Sequence, residues 1–464
     1  MGTMHGPRLP LPLWAGLVAA LALGGACSAG RPGETTLASS VTSAAGPVTS
    51  TAVPAATAVP STAPERSPKT IRVPQDQPTV QAAVDAAVPG DLVLISAGTY
   101  REAVTVRTPG IVLRGLLRNG VVLDGEDALE NGILVAADGV AVENLTVRRY
   151  AVNGLLFTKA YDDADPTQHT VLHGYRASYV TAFNNGLYGI YAFFAEGGQI
   201  DHAYASGHPD SGIYIGQCKP CNAVVTDSVA ERNAVGYEGT NSSGNLFIVN
   251  SVWRNNRVGI TPNSQDQEKL APQGDVVIAG NIVDDNDDPT APSTAQGAHG
   301  YGIVIGGGTR DHVMRNLVRN NSVAGIAITD LNGYQPVGNE VTDNVLRGNG
   351  VDLAYFSSAG SVGGAGAAAA AVLRSRSNCF AGNTFASSMP RDIQKVLGCP
   401  GKADASLSAS FALQPGAPNV DYRTVKAPPA QPEMPDAAGA PARSATGLSP
   451  VVDLAAITVP SAGG

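Results

Sequence analysis

Tyr188-Gly189-Ile190-Tyr191, Ser211-Gly212-Ile213-Tyr214, Val235-Gly236-Tyr237-Glu238 and Val258-Gly259-Ile260-Thr261 are four versions of one phrase, with glycines 23, 24 and 23 residues apart. A fixed period in the twenties marks a solenoid, in which each repeat is one coil that buries its apolar face only when a neighbour stacks on it. Outward from this stretch the coils are counted by their turn glycines: Gly132, Gly154, Gly189, Gly212, Gly236, Gly259, Gly302, Gly325 and Gly350. Two spacings are long, 35 residues from Gly154 to Gly189 and 43 from Gly259 to Gly302. Extra residues within a repeat are extruded as loops on one face. The surplus is polar: Tyr161 to His169 in the first, then Gln265 to Lys269 and Asp284 to Pro289 in the second.

Composition agrees with many short strands joined by tight turns. The chain has 464 residues, 54 of them glycine, with only 15% charged. A long helical protein would carry far more Lys, Glu and Leu. The class expected is all-β, as one elongated domain with appendages. The net charge of −9, without any Lys/Arg run, excludes nucleic acid as an expected partner. A working monomer is expected.

Order is expected from Lys69. The strand Lys69 to Pro74 precedes Asp76-Gln77-Pro78-Thr79-Val80-Gln81-Ala82-Ala83-Val84-Asp85-Ala86-Ala87, where Val80, Ala83, Val84 and Ala87 fall at helical spacing and Thr79 or Asp76 is placed to cap. Pro89-Gly90-Asp91 ends the helix, and Leu92 to Ile95 reads as a buried strand. With the phrases "PGDLVLISAGTY" and Val121-Val122-Leu123-Asp124-Gly125 following in this order, the segment resembles the start of a right-handed parallel β-helix of the pectate-lyase-like superfamily. The resemblance implies a solenoid with an N-terminal capping helix, because the open apolar end of such a stack must be plugged. The β-helix is expected over 69–400, closed by a helical stretch from Met389 to Leu397. Residues 401–464, rich in Ala and Pro, are expected to be mostly disordered.

Residues 1–27 hold Arg8, an apolar run from Leu9 to Ala26 and then Cys27, the pattern of an export signal. Small residues before Cys27 resemble a lipobox, which implies acylation of Cys27 and a membrane contact through that lipid alone; ordinary cleavage and secretion is the alternative. Residues 28–68 carry almost no large apolar side chain and read as a disordered linker. Cys218, Cys221, Cys379 and Cys399 remain, an even number that in an oxidising compartment reads as two disulfides, Cys218 with Cys221 and Cys379 with Cys399. A redox or metal role for the Cys218/Cys221 pair is the other possibility.

The asparagines before the turn glycines, Asn184, Asn185, Asn233, Asn255, Asn256, Asn320, Asn321 and Asn349, read as a structural ladder, since Asn tolerates left-handed backbone and can bond the same residue one coil away. Candidate chemistry sits elsewhere. With the residue after each glycine pointing inward, the next one points out, and the outward column runs Tyr191, Tyr214, Glu238 on adjacent coils. Tyr191 and Tyr214 are candidate sugar-stacking residues. Asp210 and Glu238 stand one coil apart as candidate catalytic acids, and His208 and Arg257, close to the turn glycines, are further catalytic candidates. The Asn-Thr-Asp, Asp-Asp and Gly-His-Gly phrases of polygalacturonases and the Gln-Asp-Thr of pectin methylesterases have no counterpart here. No cofactor is implied, and Asp284 to Asp288 lacks the spaced pattern of a calcium loop. Two functions stay open: an exported enzyme acting on a polysaccharide as lyase, epimerase or hydrolase, and a non-catalytic surface binding or structural module.

Overall fold

The computed structural model describes residues 67–160, 169–266, 268–293, 298–357, 371–402, 406–409 and 418–461. The export segment with Cys27, nearly all of the linker, the loop 161–168 and the Gly/Ala run 358–370 lie outside them. From Thr70–Val73 to Ser388–Met389 the chain winds through short strands in parallel register, forming an 11-stranded sheet and a 20-stranded sheet that supplies the other walls. This is a right-handed parallel β-helix. Antiparallel pairing joins Ala371–Arg374 to Ser406–Ala409, and a single antiparallel bridge joins Leu331 to Tyr334.

The inward column falls where the spacing places it. Ile190, Ile213, Tyr237, Ile260 and Ile303 stand opposite one another on successive coils, and with Ile133, Leu155 and Ile326 they are fully buried. Each such aliphatic side chain stabilises the stack by about 1.5–3 kcal/mol. The last counted glycine does not belong to the series. Leu353 stands opposite Ile326, so Asp352 and not Gly350 occupies the phrase position in that coil.

The recurrent glycine is explained by close approach. A Cβ on Gly189 would lie 2.5 Å from the Gly212 carbonyl oxygen, and one on Gly236 would lie 2.6 Å from that of Gly259. The same Cβ would press on the ladder beside it, 3.0 Å from Asn256 Nδ2 in the case of Gly236. The ladder itself runs through Asn233, Asn256, Asn286, Asn321 and Asn349. Each Nδ2 donates to the next Oδ1 at 2.9–3.2 Å, and the backbone N–H of one residue donates to the same oxygen. Every donor at this buried corner is thereby satisfied. A second corner repeats the device with Asn281, Asn316, Asn344 and Asn383.

Both ends are plugged. The helix Val80–Asp85 is capped by Thr79, whose hydroxyl accepts from Ala82 N–H at 3.1 Å, and buries Val80, Ala83 and Val84. At the far end Ile393 and Leu397 are buried, and the Cys379–Cys399 disulfide fastens this turn to the last coil.

The tail differs from the sequence-based expectation. Residues 418–461 are ordered as an extended strap laid along the coils. Proline-rich chain offers carbonyl acceptors and few N–H donors, and the coils meet it with guanidinium donors, those of Arg114 and Arg118 buried and that of Arg315 half-buried. Arg114 donates to Ala440 O at 2.6 Å and Pro441 O at 3.0 Å, Arg118 to Pro432 O at 2.9 Å, and Arg315 to Leu454 O at 2.6 Å. Gly139 and Gly174, both at positive φ, leave room for it, since a Cβ there would lie 2.3 Å from Thr446 Oγ1 and Ala445 O respectively. The expectation of disorder rested on the Ala/Pro-rich composition; carbonyl bonds to donors on the coils, together with burial of Ala437, Ala445 and Ile457, order it.

Candidate functional site

The outward column is in register. Tyr191 lies opposite Tyr214, Tyr214 opposite Glu238, and Glu238 opposite Thr261. Tyr188, from the turn before this strand, joins it: its ring centroid is 4.4 Å from that of Tyr191 and 5.2 Å from that of Tyr214, while Tyr191 and Tyr214 meet edge to face at 4.8 Å. Tyr214 lies back along its own strand, its hydroxyl 2.5 Å from where a Cβ of Gly216 would stand, so only glycine fits at that position.

Asp210 and Ser211 open the coil that carries Tyr214, and Glu238 stands on the next. Ser211 Oγ stands 2.9 Å from Asp210 Oδ1 and 2.8 Å from Glu238 Oε2. A hydroxyl has one proton, so it donates to one carboxyl and accepts from the other. One of the two acids is therefore protonated. Asn263 Nδ2 donates to Glu238 Oε1 at 3.1 Å, which favours charge on Glu238. Burial and the neighbouring Glu238 push Asp210 well above the usual carboxylate range. Burial also raises Glu238, against the bonds from Ser211 and Asn263 that hold it down. The consistent arrangement has the proton on Asp210, passed through Ser211 toward an anionic Glu238.

A third acid arrives from the insertion after the strand Val258–Asn263. Tyr214 Oη donates to Glu268 at 3.1 Å, and Gln217 Nε2 donates to the same carboxylate. Burial pushes Glu268 up to about 7. Its segment is pinned by Asn241, which donates to Gln265 O at 2.8 Å and to Glu268 O at 3.2 Å, and by Tyr334 Oη donating to Asp266 at 2.7 Å. Glu268 and this insertion lie against a column that strand alternation alone would leave open: Tyr214 is 2% and Glu238 4% exposed, while Tyr188, Tyr191 and Thr261 stay half-buried at the rim.

Two sequence candidates belong to other structures. His208 is a rung of the asparagine ladder: Nδ1–H donates to Asn233 Oδ1 at 2.8 Å and Nε2 accepts from Asn185 Nδ2 at 3.2 Å. Burial lowers it to about 4, so it stays neutral and offers no proton to a substrate. Arg257 is 1% exposed and donates to Ala291 O at 2.7 and 2.8 Å and to Pro418 O at 2.6 Å, fastening a loop and the strap. Asp284, counted in the polar surplus of the second long repeat, is buried and bonds Arg319 at 2.7 Å. Sequence reasoning passed over Tyr188, Ser211, Gln217 and Glu268. The first two lie in or beside the repeated phrase and were legible there, whereas nothing local says that Glu268 returns to Tyr214.

Both expected disulfides, Cys218–Cys221 and Cys379–Cys399, are formed. Among the described residues no group of three His, Cys, Asp or Glu is placed to hold a metal ion, and no helix is long and apolar enough to cross a membrane.

The family described as "Right handed beta helix region" matches residues 171–346. No curated protein matches the chain in sequence. Among solved structures, the chain is similar to the A-module of mannuronan C-5 epimerase AlgE4 from Azotobacter vinelandii, at 14% identity over 69% of this chain and 96% of that one, with a TM-score of 0.43. It is also similar to pectate lyase Pel9A, at 16% identity over 67% and 72% with a TM-score of 0.40, and to the Dettilon tailspike protein, at 12% identity over 69% and 68% with a TM-score of 0.42. By its coils, its parallel register and the matched region, the chain is a right-handed parallel β-helix protein.

Proposed function

We propose that this chain is an exported β-helix that binds a polysaccharide at Tyr188, Tyr191 and Tyr214 and processes it by proton transfer through Asp210 and Glu238. The observation that carries the reading is the Ser211 hydroxyl held between two buried carboxyls beside the tyrosine column. Ring faces stack on sugar rings, and a carboxylic acid that keeps its proton at neutral pH is the donor a leaving glycosidic oxygen needs. Water attacks the sugar carbon as that oxygen leaves, and Glu238 takes the proton that the water gives up. Glu268, held near neutral pH by burial, is a second group able to exchange a proton there.

A second reading, a binding module without turnover, is favoured by the low exposure of Asp210 and Glu238, at 5% and 4%. The full chain, incubated with neutral and uronate-containing polymers with and without calcium, separates the two. New reducing ends or unsaturated products that vanish in Glu238→Gln support the enzyme; retention of polymer without any product supports the module. The two disulfides suit an oxidising extracytoplasmic compartment, and the Cys27 signal would supply either a lipid anchor or secretion. Labelled fatty acid that enters the wild-type chain and not Cys27→Ser supports the anchor.

A further inference from the structure

We propose that the polymer recognised at this site is an uncharged glycan, presented through its hydroxyl groups. The inference rests on the reading of Tyr188, Tyr191 and Tyr214 as the sugar platform.

A uronate needs a cation beside its carboxylate, and the arginines of these coils are engaged with other groups, which leaves Lys219 and Lys269 as the exposed cations nearest in sequence to the site. Arg232 and Arg254 pair with Glu231, Arg310 with Asp275 and Arg319 with Asp284, while Arg257 is spent on the carbonyls of Ala291 and Pro418. The segments 161–168 and 294–297 and position 267 contain no Lys or Arg, and His208 is locked neutral in the ladder. The site answers with acceptors instead. Asp210, Glu238 and Glu268 ring the tyrosines, and Gln217, 1% exposed, holds Oε1 buried without a partner while its Nε2 bonds Glu268. An unpaired buried acceptor calls for a donor. Sugar hydroxyls are donors, whereas a uronate carboxylate would add an acceptor and a like charge to a pocket already rich in both. An uncharged substrate also excludes uronate elimination and C5 epimerisation, leaving proton donation to a glycosidic oxygen.

The test uses a matched pair, polygalacturonate and its carboxyl-reduced galactan, together with alginate and neutral glucans and xylans, with retention of the full chain followed by affinity electrophoresis. The expected result is retention by at least one neutral polymer, with acidic counterparts weaker by roughly 100-fold. That retention should change little from about 0.02 to 0.5 M NaCl, and both Tyr191→Ala and Gln217→Ala should weaken it. Tighter, salt-sensitive or calcium-dependent retention by the uronates that is lost in Tyr191→Ala overturns the substrate class and leaves the glycan site standing. Retention by no polymer, or retention unchanged in both variants, overturns the site reading together with this inference.

Discussion

Asp210 and Glu238, one coil apart, bond the same hydroxyl, that of Ser211, at 2.9 and 2.8 Å. Because that hydroxyl carries one proton, the pair holds no more than one negative charge in this arrangement. Asp210→Asn preserves a neutral group at position 210, and Glu238→Gln removes the anion. Both variants are expected to fold, with melting temperatures within a few degrees of the parent. Turnover of any accepted glycan should fall by about 10²–10⁴-fold in each. Reducing-end assays beside thermal melts check this; full turnover in Glu238→Gln would remove the pair from the chemistry.

Asp311 makes stability depend on pH. It is fully buried, its Oδ1 accepts from Gln273 Nε2 at 2.9 Å and Val276 N–H at 3.0 Å, and its Oδ2 has no partner. Burial pushes it up to about 7. A carboxyl with a raised folded pKa binds its proton more tightly in the native state, so its contribution is fully present below about pH 4 and is lost as pH rises toward 7, on the order of a few kcal/mol. Gln273 Oε1, also unpartnered, flanks the same point at Gly308. Asp311→Asn supplies a donor there. The variant should melt above the wild type at pH 8 and converge with it near pH 4; parallel melting curves at all pH values would refute the assignment.

The position of His208 in the ladder separates a structural from a catalytic role. His208→Asn can keep both ladder bonds, accepting from Asn185 and donating to Asn233, so stability should stay within about 1 kcal/mol and turnover should persist. His208→Leu leaves buried ladder groups unpaired and should cost about 1–3 kcal/mol for each. Denaturant melts of the two variants beside the glycan assay decide; loss of turnover in a stable His208→Asn would return the residue to the site.

Arg114 holds the strap and neutralises Glu143, which it meets at 2.6 Å with both side chains buried. Arg114→Ala is expected to cost about 3–5 kcal/mol, since it leaves a buried carboxylate with Arg176 as its remaining ion-pair partner and frees the carbonyls of Ala440 and Pro441. The strap should then be cut by limited proteolysis at positions resistant in the parent. A strap equally resistant in the variant would show that Arg114 does not hold it.

The repeat carried the fold. Its period fixed the coil length, its alternation fixed the inward column from Ile133 to Ile326, and Asn before Gly announced the ladder, because each depends on residues that recur at the same place in every coil. Tyr191, Tyr214 and Glu238 were legible as one column for the same reason. What the sequence left undecided depends on contacts that occur once. Glu268 reaches Tyr214 across 54 residues, Arg257 reaches Pro418 across 161, and Arg114 reaches Pro441 across 327. His208 breaks the Asn pattern of its corner yet fills the same rung, which only the positions of Asn185 and Asn233 disclose. Local spacing determines strands, register and the side chain's face, since these follow from backbone geometry. Which outward groups are covered, ionised or paired depends on how the insertions and the strap fold back, and that is decided by the tertiary structure.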